Sequence, residues 1–247
     1  MNLDTSKAIE HFRVEVYHDL HVLLLDLSIS NTAVYMWIAI ALVGISLHLM
    51  MMHPKLVPGT WQSLAEMLYG FVASQTLLNI RHGGEKYIPL MFTLFTFILG
   101  CNLVGLIPGS FTPTAQLAVT GTLAGGIFLY AIMLRFYLHG WGFFRAFVPA
   151  GAPKILIPLM VPIELISFLA RPITLALRLF ANMTAGHMAL GVLAVLGLAV
   201  PWFIQWLPLG FTVMQIALEI VIAFIQAFIF MVLSCVYIDD ALTAPLE

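Results

Sequence analysis

Charged side chains are scarce in this sequence. Only 9% of its 247 residues are Asp, Glu, Lys or Arg, whereas 62% are hydrophobic, and the mean hydropathy is +1.02. A soluble domain carries about 25% charged residues, so the composition excludes an ordinary water-soluble domain. The apolar runs are long and continuous rather than alternating. They predict an all-α, polytopic helical membrane protein rather than a transmembrane β-barrel.

Other absences narrow the class of function. There is no basic run suited to a nucleic acid. The two cysteines, Cys101 and Cys235, lie far apart in apolar runs and are expected to be small buried hydrophobes rather than a redox or metal pair. His18 and His21 lack further ligands, so we expect surface histidines there. No HExxH pattern is present, which argues against an intramembrane metalloprotease. We expect no metal, no cofactor and no nucleic-acid partner.

The apolar runs predict two parts, a polar N-terminal segment at 1–30 and a single membrane domain at 31–247. Five acidic residues within the first 30 argue against a cleavable signal peptide. We expect three spans, one interfacial helix and two longer tilted helices. Their ranges are about 31–53, 87–107 and 114–139 for the spans, 58–80 for the interfacial helix, and 155–199 and 202–240 for the tilted helices.

The last two apolar runs are too long for simple spans. A helix of about 40 residues reaches about 60 Å, which is twice the hydrocarbon thickness. Each run is therefore either a tight hairpin or one steeply tilted helix. We favour tilted helices, because a backbone turn at bilayer depth would leave amides unsatisfied. Pro172 is expected to bend the first of them.

Two weaker patterns concern packing. In the interfacial segment, apolar residues recur at helical spacing opposite polar ones, which is typical of an interfacial or packed helix. The apolar residues are Trp61, Leu64, Ala65, Leu68 and Val72, and the polar ones are Gln62, Glu66 and Gln75. In the third span, three glycines predict a close helix–helix contact. They are Gly121, Gly125 and Gly126.

Basic residues orient the spans. They cluster in two connections, whereas the turns at 108–113 and 200–208 carry none. The first connection contains Lys55, Arg81 and Lys86, and the second contains Arg135, Arg145 and Lys154. The positive-inside rule puts both connections on the inner side. The N-terminus is then outside and the C-terminus cytoplasmic.

A polar stripe interrupts the first of the long runs. On an ideal helix, Glu164, Arg171, Arg178 and Asn182 lie within about 40° of one another. After Arg178 no charged side chain follows until Glu219. A guanidinium stays protonated, and holding it at bilayer depth costs from a few to more than about ten kcal/mol. Arg178 is therefore the first candidate functional residue.

The last run carries its own polar positions. Glu219 and Gln226 share a face of the predicted helix, in otherwise apolar sequence. A carboxyl group in such surroundings is suited to taking up and releasing protons. The alternative is that these groups merely neutralise the arginines within the helix bundle. That alternative leaves one arginine more than the nearby acids require.

Three motifs together resemble one family, subunit a of the F-type ATP synthase, which is the stator channel subunit. The match is sharpest at Thr174-Leu-Ala-Leu-Arg-Leu-Phe-Ala-Asn-Met183 and continues to Ala185-Gly-His187. It returns at Gln226-Ala-Phe-Ile-Phe-Met-Val-Leu. Asn102-Leu-Val-Gly-Leu-Ile-Pro108 is similar to the family's first-hairpin motif. The resemblance covers about residues 30–240, with the motifs in the family's order.

The resemblance implies a role for each matching residue. Arg178 matches the arginine that faces the rotating c-ring, with Asn182 and Gln226 as polar neighbours. His187 and Glu219 match a pair of proton-relaying groups that some bacterial members carry in the opposite order.

The remaining matches concern the two half-channels. Glu164 matches an acidic position beside the inner half-channel, and Asn102 opens the hairpin motif and joins the residues expected to assist proton translocation. Gly105 stands where some members place an aspartate, so the resemblance does not carry a proton-binding role to that position.

By this resemblance the chain is a non-catalytic, proton-translocating subunit. The expected partners are the c-ring, the peripheral stalk b subunits, the rest of the ATP synthase complex and the lipid bilayer. The bacterial inner membrane is favoured over the mitochondrial one. The alternative is a proton-coupled secondary transporter. It would predict inverted repeats with broken helices at matching positions, and the sequence shows no such internal symmetry.

Overall fold

Six α-helices account for most of the computed structural model, which describes residues 16–18, 21–22, 25–26, 29–52, 54–107, 110, 112–140, 157–201 and 203–243. The helices are α1 (Asn31–Met51), α2 (Thr60–Asn79), α3 (Ile88–Gly105), α4 (Leu117–His139), α5 (Ile157–Ala199) and α6 (Trp206–Leu242). Short 3₁₀ helices lie at Gly84–Tyr87 and Pro113–Ala115. Arg145 and Lys154, from the predicted second basic connection, lie outside the described residues.

Short antiparallel strand pairs precede α1. Strand β1 (Val16–His18) pairs with β4 (Ile29–Ser30), and β2 (His21–Val22) pairs with β3 (Leu25–Asp26). His18 and His21 therefore lie on strands. These strands contribute only a few residues and do not change the helical class of the fold.

The predicted fold class is confirmed. Five helices of the described chain are long and apolar enough to cross a membrane, and α2 is not among them. The two long runs form single continuous helices of 43 and 37 residues rather than hairpins. Helix α5 stays continuous although Pro162 and Pro172 lie inside it.

Helix α2 departs from the predicted pattern at three positions. Ala65 and Val72 are buried as expected, but Trp61 and Leu64 are 68% and 51% exposed. Gln62, expected on the polar face, is buried. The Gln62 side-chain amide donates to the Lys55 carbonyl oxygen and accepts from the Lys55 N–H, both at 3.0 Å. Because its amide pairs with both backbone groups, this polar side chain can be buried at low cost.

The helices contribute to two compact units. The first unit comprises Met1–Ala65, Thr96–Gln116 and Phe180–Ala227. A cluster of buried side chains from α1 and α3 lies in it, with Ala39, Cys101 and Val104 at its centre. Gly100 allows this approach, because a Cβ there would collide with Val43. Cys101 is buried and free, as predicted.

The second unit comprises Glu66–Phe95, Leu117–Leu179 and Phe228–Glu247. Aromatic rings link its helices: Phe128 of α4 lies 4.7 Å from Phe168 of α5 and 6.4 Å from Tyr237 of α6, measured between ring centroids. Cys235 is buried and free, as predicted.

The predicted glycine contact in α4 is wrong for the part of the chain that the structure describes. A Cβ added to any of the three glycines would meet nothing within 4 Å. The packing of α4 instead uses buried positions such as Thr120, Ala124 and Ala131.

Candidate functional site

The first unit contains a network of uncharged hydrogen bonds around Asn102. This side chain, on α3, is only 1% exposed, and its Nδ2 donates to the carbonyl oxygen of Ala223 on α6 at 3.3 Å. Its Oδ1 accepts from the hydroxyl of Thr114, at 2.7 Å. Thr114 belongs to the 3₁₀ helix that Pro113 begins. Asn102 thus ties the turn after α3 to α6.

The same turn supplies a partner for His187 of α5. The Thr112 hydroxyl lies 2.5 Å from His187 Nε2. The other ring nitrogen, Nδ1, lies 3.9 Å from Glu219 Oε1 on α6. The imidazole therefore stands between a hydroxyl and a carboxyl group, with one nitrogen directed to each.

Glu219 is almost fully enclosed. Its side chain is 2% exposed, and neither carboxylate oxygen has a hydrogen-bond partner among the described residues. A buried carboxylate without donors is costly to keep charged. Chemically this is a carboxyl group beside a titratable imidazole, which is the arrangement that a proton transfer between the two requires.

Gly186 makes the close approach of Glu219 possible. A Cβ at this position of α5 would lie 2.5 Å from Glu219 Oε1 and 2.9 Å from its Cδ. The carboxyl group therefore lies directly against the α5 backbone, one residue before His187. A side chain at 186 would push it away.

Two further predicted residues of the first unit stand apart from these contacts. Gln226 is buried and Asn182 is half-buried. Neither side chain makes a hydrogen bond or ion pair within the described part of the chain. The structure therefore places them on α6 and α5 without joining them to the network around Asn102.

Charged groups dominate the second unit. Arg171 Nη1 lies 3.0 Å from Asp240 Oδ2, and Arg171 Nη2 lies 4.0 Å from Glu164 Oε1. The three side chains are between 39% and 48% exposed. Arg171 thus joins the end of α6 to α5 through ion pairs that remain partly accessible.

Arg178 differs from Arg171, two turns earlier on the same helix. Its side chain is exposed, and no carboxylate of the described residues lies within 4.0 Å of its guanidinium. Elsewhere around α5, Ile173 and Leu177 are 58% and 44% exposed, whereas Thr174 and Asn182 lie on the same side as Arg178. Tyr237 of α6 lies within the electrostatic field of both arginines.

Sequence reasoning missed Thr112, Thr114 and Asp240, and it included Gly186 only as part of the Ala185-Gly-His187 motif. The two hydroxyls flank a proline in an uncharged turn, so the pattern predicts a connection and no more. Asp240 follows Asp239 at the end of an apolar run, where the pattern predicts only that the membrane span ends. Their partners lie 75, 12 and 69 positions away in sequence. No group of three or more His, Cys, Asp or Glu residues that could hold a metal ion occurs in the described ranges.

Comparison with known proteins points to one family. The family model described as "ATP synthase A chain" matches residues 33–239. A protein of Magnetococcus marinus named "ATP synthase subunit a" is 45% identical over 238 residues, covering 95% of this chain and 92% of the relative. One of the same name from Rhodopseudomonas palustris strain BisB18 is 44% identical over 226 residues, covering 89% and 90%. Because the matches span nearly the whole chain, the chain belongs to the ATP synthase subunit a family.

Proposed function

We propose that the chain translocates protons in the membrane sector of an F-type ATP synthase, where it couples proton flow to rotation of a c-ring. The chain itself makes no covalent chemistry. Its partners are the c-ring, the peripheral stalk b subunits and the remaining complex. It resides in a bacterial inner membrane, with the N-terminus outside and the C-terminus in the cytoplasm. Family membership and five helices able to cross a membrane support this assignment.

The observation that carries the proposal is an exposed Arg178 with no carboxylate of the described residues within 4.0 Å, on a helix that otherwise exposes mainly apolar side chains. An exposed guanidinium directed into lipid would be expensive. A partner that presents a carboxylate at this face would offset that cost. Arg171 does not need such a partner, because Asp240 lies 3.0 Å from it.

A ring of carboxyl groups moving past Arg178 explains why this charge is kept. A ring carboxyl can face lipid only when it is protonated, since a charge there is prohibitive. Near Arg178 the positive charge favours the ionised form, so the proton leaves to the inner half-channel. Arg178 also separates the half-channels, because a fixed cation repels a proton that would pass directly between them.

The outer half-channel is proposed to end at His187 and Glu219. Their nitrogen and oxygen lie 3.9 Å apart, so a small side-chain movement or one bridging water would allow proton transfer. Asn102 holds the neighbouring turn in place, and Asn182 and Gln226 supply uncharged polar groups on α5 and α6. Glu164, 41% exposed and loosely paired with Arg171, is assigned to the inner half-channel.

The direction of rotation follows from biased protonation of the ring. A membrane potential contributes about 2.3 kcal/mol per elementary charge for each 100 mV. Because protons reach the ring from one side and leave to the other, that free energy is released only when the ring turns. The function therefore requires both half-channels and the charge between them.

Arg178→Ala tests the proposal in the whole complex reconstituted in vesicles. We expect ATP-driven proton pumping to be abolished, because the ring carboxyl loses the charge that makes it release its proton. Arg81→Ala is the control, since it also removes an arginine with an exposed position but lies outside the proposed path. Full pumping by the assembled Arg178→Ala complex would overturn the proposal.

A further inference from the structure

We propose that Thr112 is a positioning residue for His187, and that its hydroxyl lets the imidazole change its protonation state without moving. The inference deepens the proposed function and rests on it. It starts from the 2.5 Å contact between Thr112 Oγ1 and His187 Nε2. Thr112 is 5% exposed, so water is not a ready substitute for its hydroxyl.

A hydroxyl suits this position because it can both donate and accept a hydrogen bond. When His187 is protonated, Nε2 carries a hydrogen and donates it to Thr112 Oγ1. When His187 is neutral with its hydrogen on Nδ1, the Thr112 hydroxyl rotates and donates to Nε2. In both states the ring keeps the same place, with Nδ1 directed to Glu219 Oε1.

Neighbouring hydrogen bonds hold the turn that carries Thr112 beside the imidazole ring. Pro113 follows it, and the next residue, Thr114, is fully buried and donates to Asn102 Oδ1 at 2.7 Å. Asn102 in turn donates to the Ala223 carbonyl oxygen of α6. The hydroxyl that holds His187 is therefore attached to a network that also fixes α6, the helix of Glu219.

Gly105 provides the space for Thr112. A Cβ at this last position of α3 would lie 2.6 Å from Thr112 Cγ2 and 2.8 Å from its Cβ, which is closer than such atoms approach. Gly105 and Thr112 are thus matched in size, since the missing side chain at 105 leaves room for the one at 112. The residue at 105 needs no polar group of its own, because its role is to leave room.

The pH dependence of proton flux distinguishes positioning from simple packing. His187 faces Thr112 from the 3₁₀ turn and Glu219 from α6, and Glu219 is the titratable partner that the described structure gives it. The bond that the protonated ring donates to the hydroxyl is charge-assisted and therefore stronger than the bond that the hydroxyl donates to the neutral ring, so removing the hydroxyl disfavours the protonated imidazole. The pH at which flux is half-maximal should therefore shift, whereas a packing defect would lower the flux at every pH alike.

The experiment measures passive proton flux through the reconstituted complex as a function of outer pH. Thr112→Val, which keeps the shape but removes the hydroxyl, should lower the flux about two- to tenfold and shift its pH profile. Thr112→Ser should stay close to the unaltered complex, and Gly105→Ala should resemble Thr112→Val. Thr122→Val is the matched control, because that exposed threonine bonds only within its own helical turn, to Val119 O.

Three results would overturn the inference. They are normal flux and pH profile in an assembled Thr112→Val complex, a Thr112→Ser variant as impaired as Thr112→Val, and a Gly105→Ala variant with unaltered flux. Arg178→Ala distinguishes a failure of the inference about Thr112 from a failure of the proposed function. If it abolishes pumping while Thr112→Val has no effect, the inference about Thr112 fails and the proposed function stands. If Arg178→Ala pumps normally, the proposed function fails.

Discussion

The two compact units place polar groups in the apolar chain by different means. In the first unit, Asn102 and Thr114 are almost fully buried and pair through neutral hydrogen bonds. In the second, Arg171, Asp240 and Glu164 form ion pairs and keep 39% to 48% of their side chains exposed. Full charges cost much more to bury than amides and hydroxyls do. The difference teaches that burial depth decides which polar chemistry each unit uses.

Glu219 is the exception within the first unit, because it is an ionisable group at 2% exposure without a hydrogen-bond donor. A purely structural residue at this place would be neutral, as Asn102 is. The exception therefore supports a role in proton exchange, and it gives the largest expected effect.

Glu219→Gln changes the exceptional residue of the first unit and should have the largest effect on proton flux. The change keeps the shape of the side chain but removes the exchangeable carboxyl proton, so proton uptake should slow about 100-fold. The measurement is passive proton flux through the reconstituted complex, with assembly checked by co-purification of its partners. An unchanged flux would exclude Glu219 from the relay.

A double variant that exchanges His187 and Glu219 provides the control for this prediction. Placing Glu at 187 and His at 219 in one chain should be better tolerated than either single change, because the pair is kept within reach. Gly186 must remain, since it makes room for the side chain at 219. A double variant that is worse than both singles would show that the two groups do not act together.

Asn102→Ala tests how much the neutral hydrogen bonds of the first unit contribute to stability. It leaves the Thr114 hydroxyl and the Ala223 carbonyl oxygen without their shared partner, which should lower the free energy of unfolding by about 1–3 kcal/mol. Denaturant titration of the purified chain in detergent would measure the loss. The exposed Thr122→Ala is the control and should change stability by less than about 0.5 kcal/mol. Equal stability of the two variants would contradict the network's role.

Asp240→Asn should have the smallest effect. Its partner Arg171 is 39% exposed, so solvent screens the pair and the loss of stability should be about 0–1 kcal/mol. A double-mutant cycle with Arg171→Gln would isolate the coupling free energy. A coupling above about 2 kcal/mol would mean that this pair behaves as a buried one, and the contrast between the units would fail.

Much of the fold follows from where charge is missing. Apolar runs bounded by Lys55, Arg81 and Lys86 predict helices within a few residues of those observed, because a helix in lipid must satisfy its own backbone. The same rule predicts that the last two runs are unbroken helices, and they are. Helical spacing also predicts which side chains share a face of one helix, which is why the sequence places Glu164 on the same face as Arg171.

Contacts between helices were harder to predict. Nothing in helical periodicity says that the hydroxyl of Thr112 reaches His187, or that Asp240 reaches Arg171, because each pair joins separate segments of the chain. Burial of Gln62 was missed for a related reason: its amide pairs with the backbone of a preceding loop. For the glycines of α4 the sequence predicted a contact that is not found, since no described residue packs against them.

The exposed charge of Arg178 has a consequence for assembly. On the proposed function, a lone copy of this chain holds the guanidinium at bilayer depth without the ring carboxylate, and the folded chain carries the cost of that placement. Anything that covers the face and supplies a negative charge lowers the free energy of the folded chain, and by linkage it makes the folded chain more resistant to unfolding. The residue proposed to separate two proton paths is therefore also expected to make the solitary subunit less stable than the assembled one.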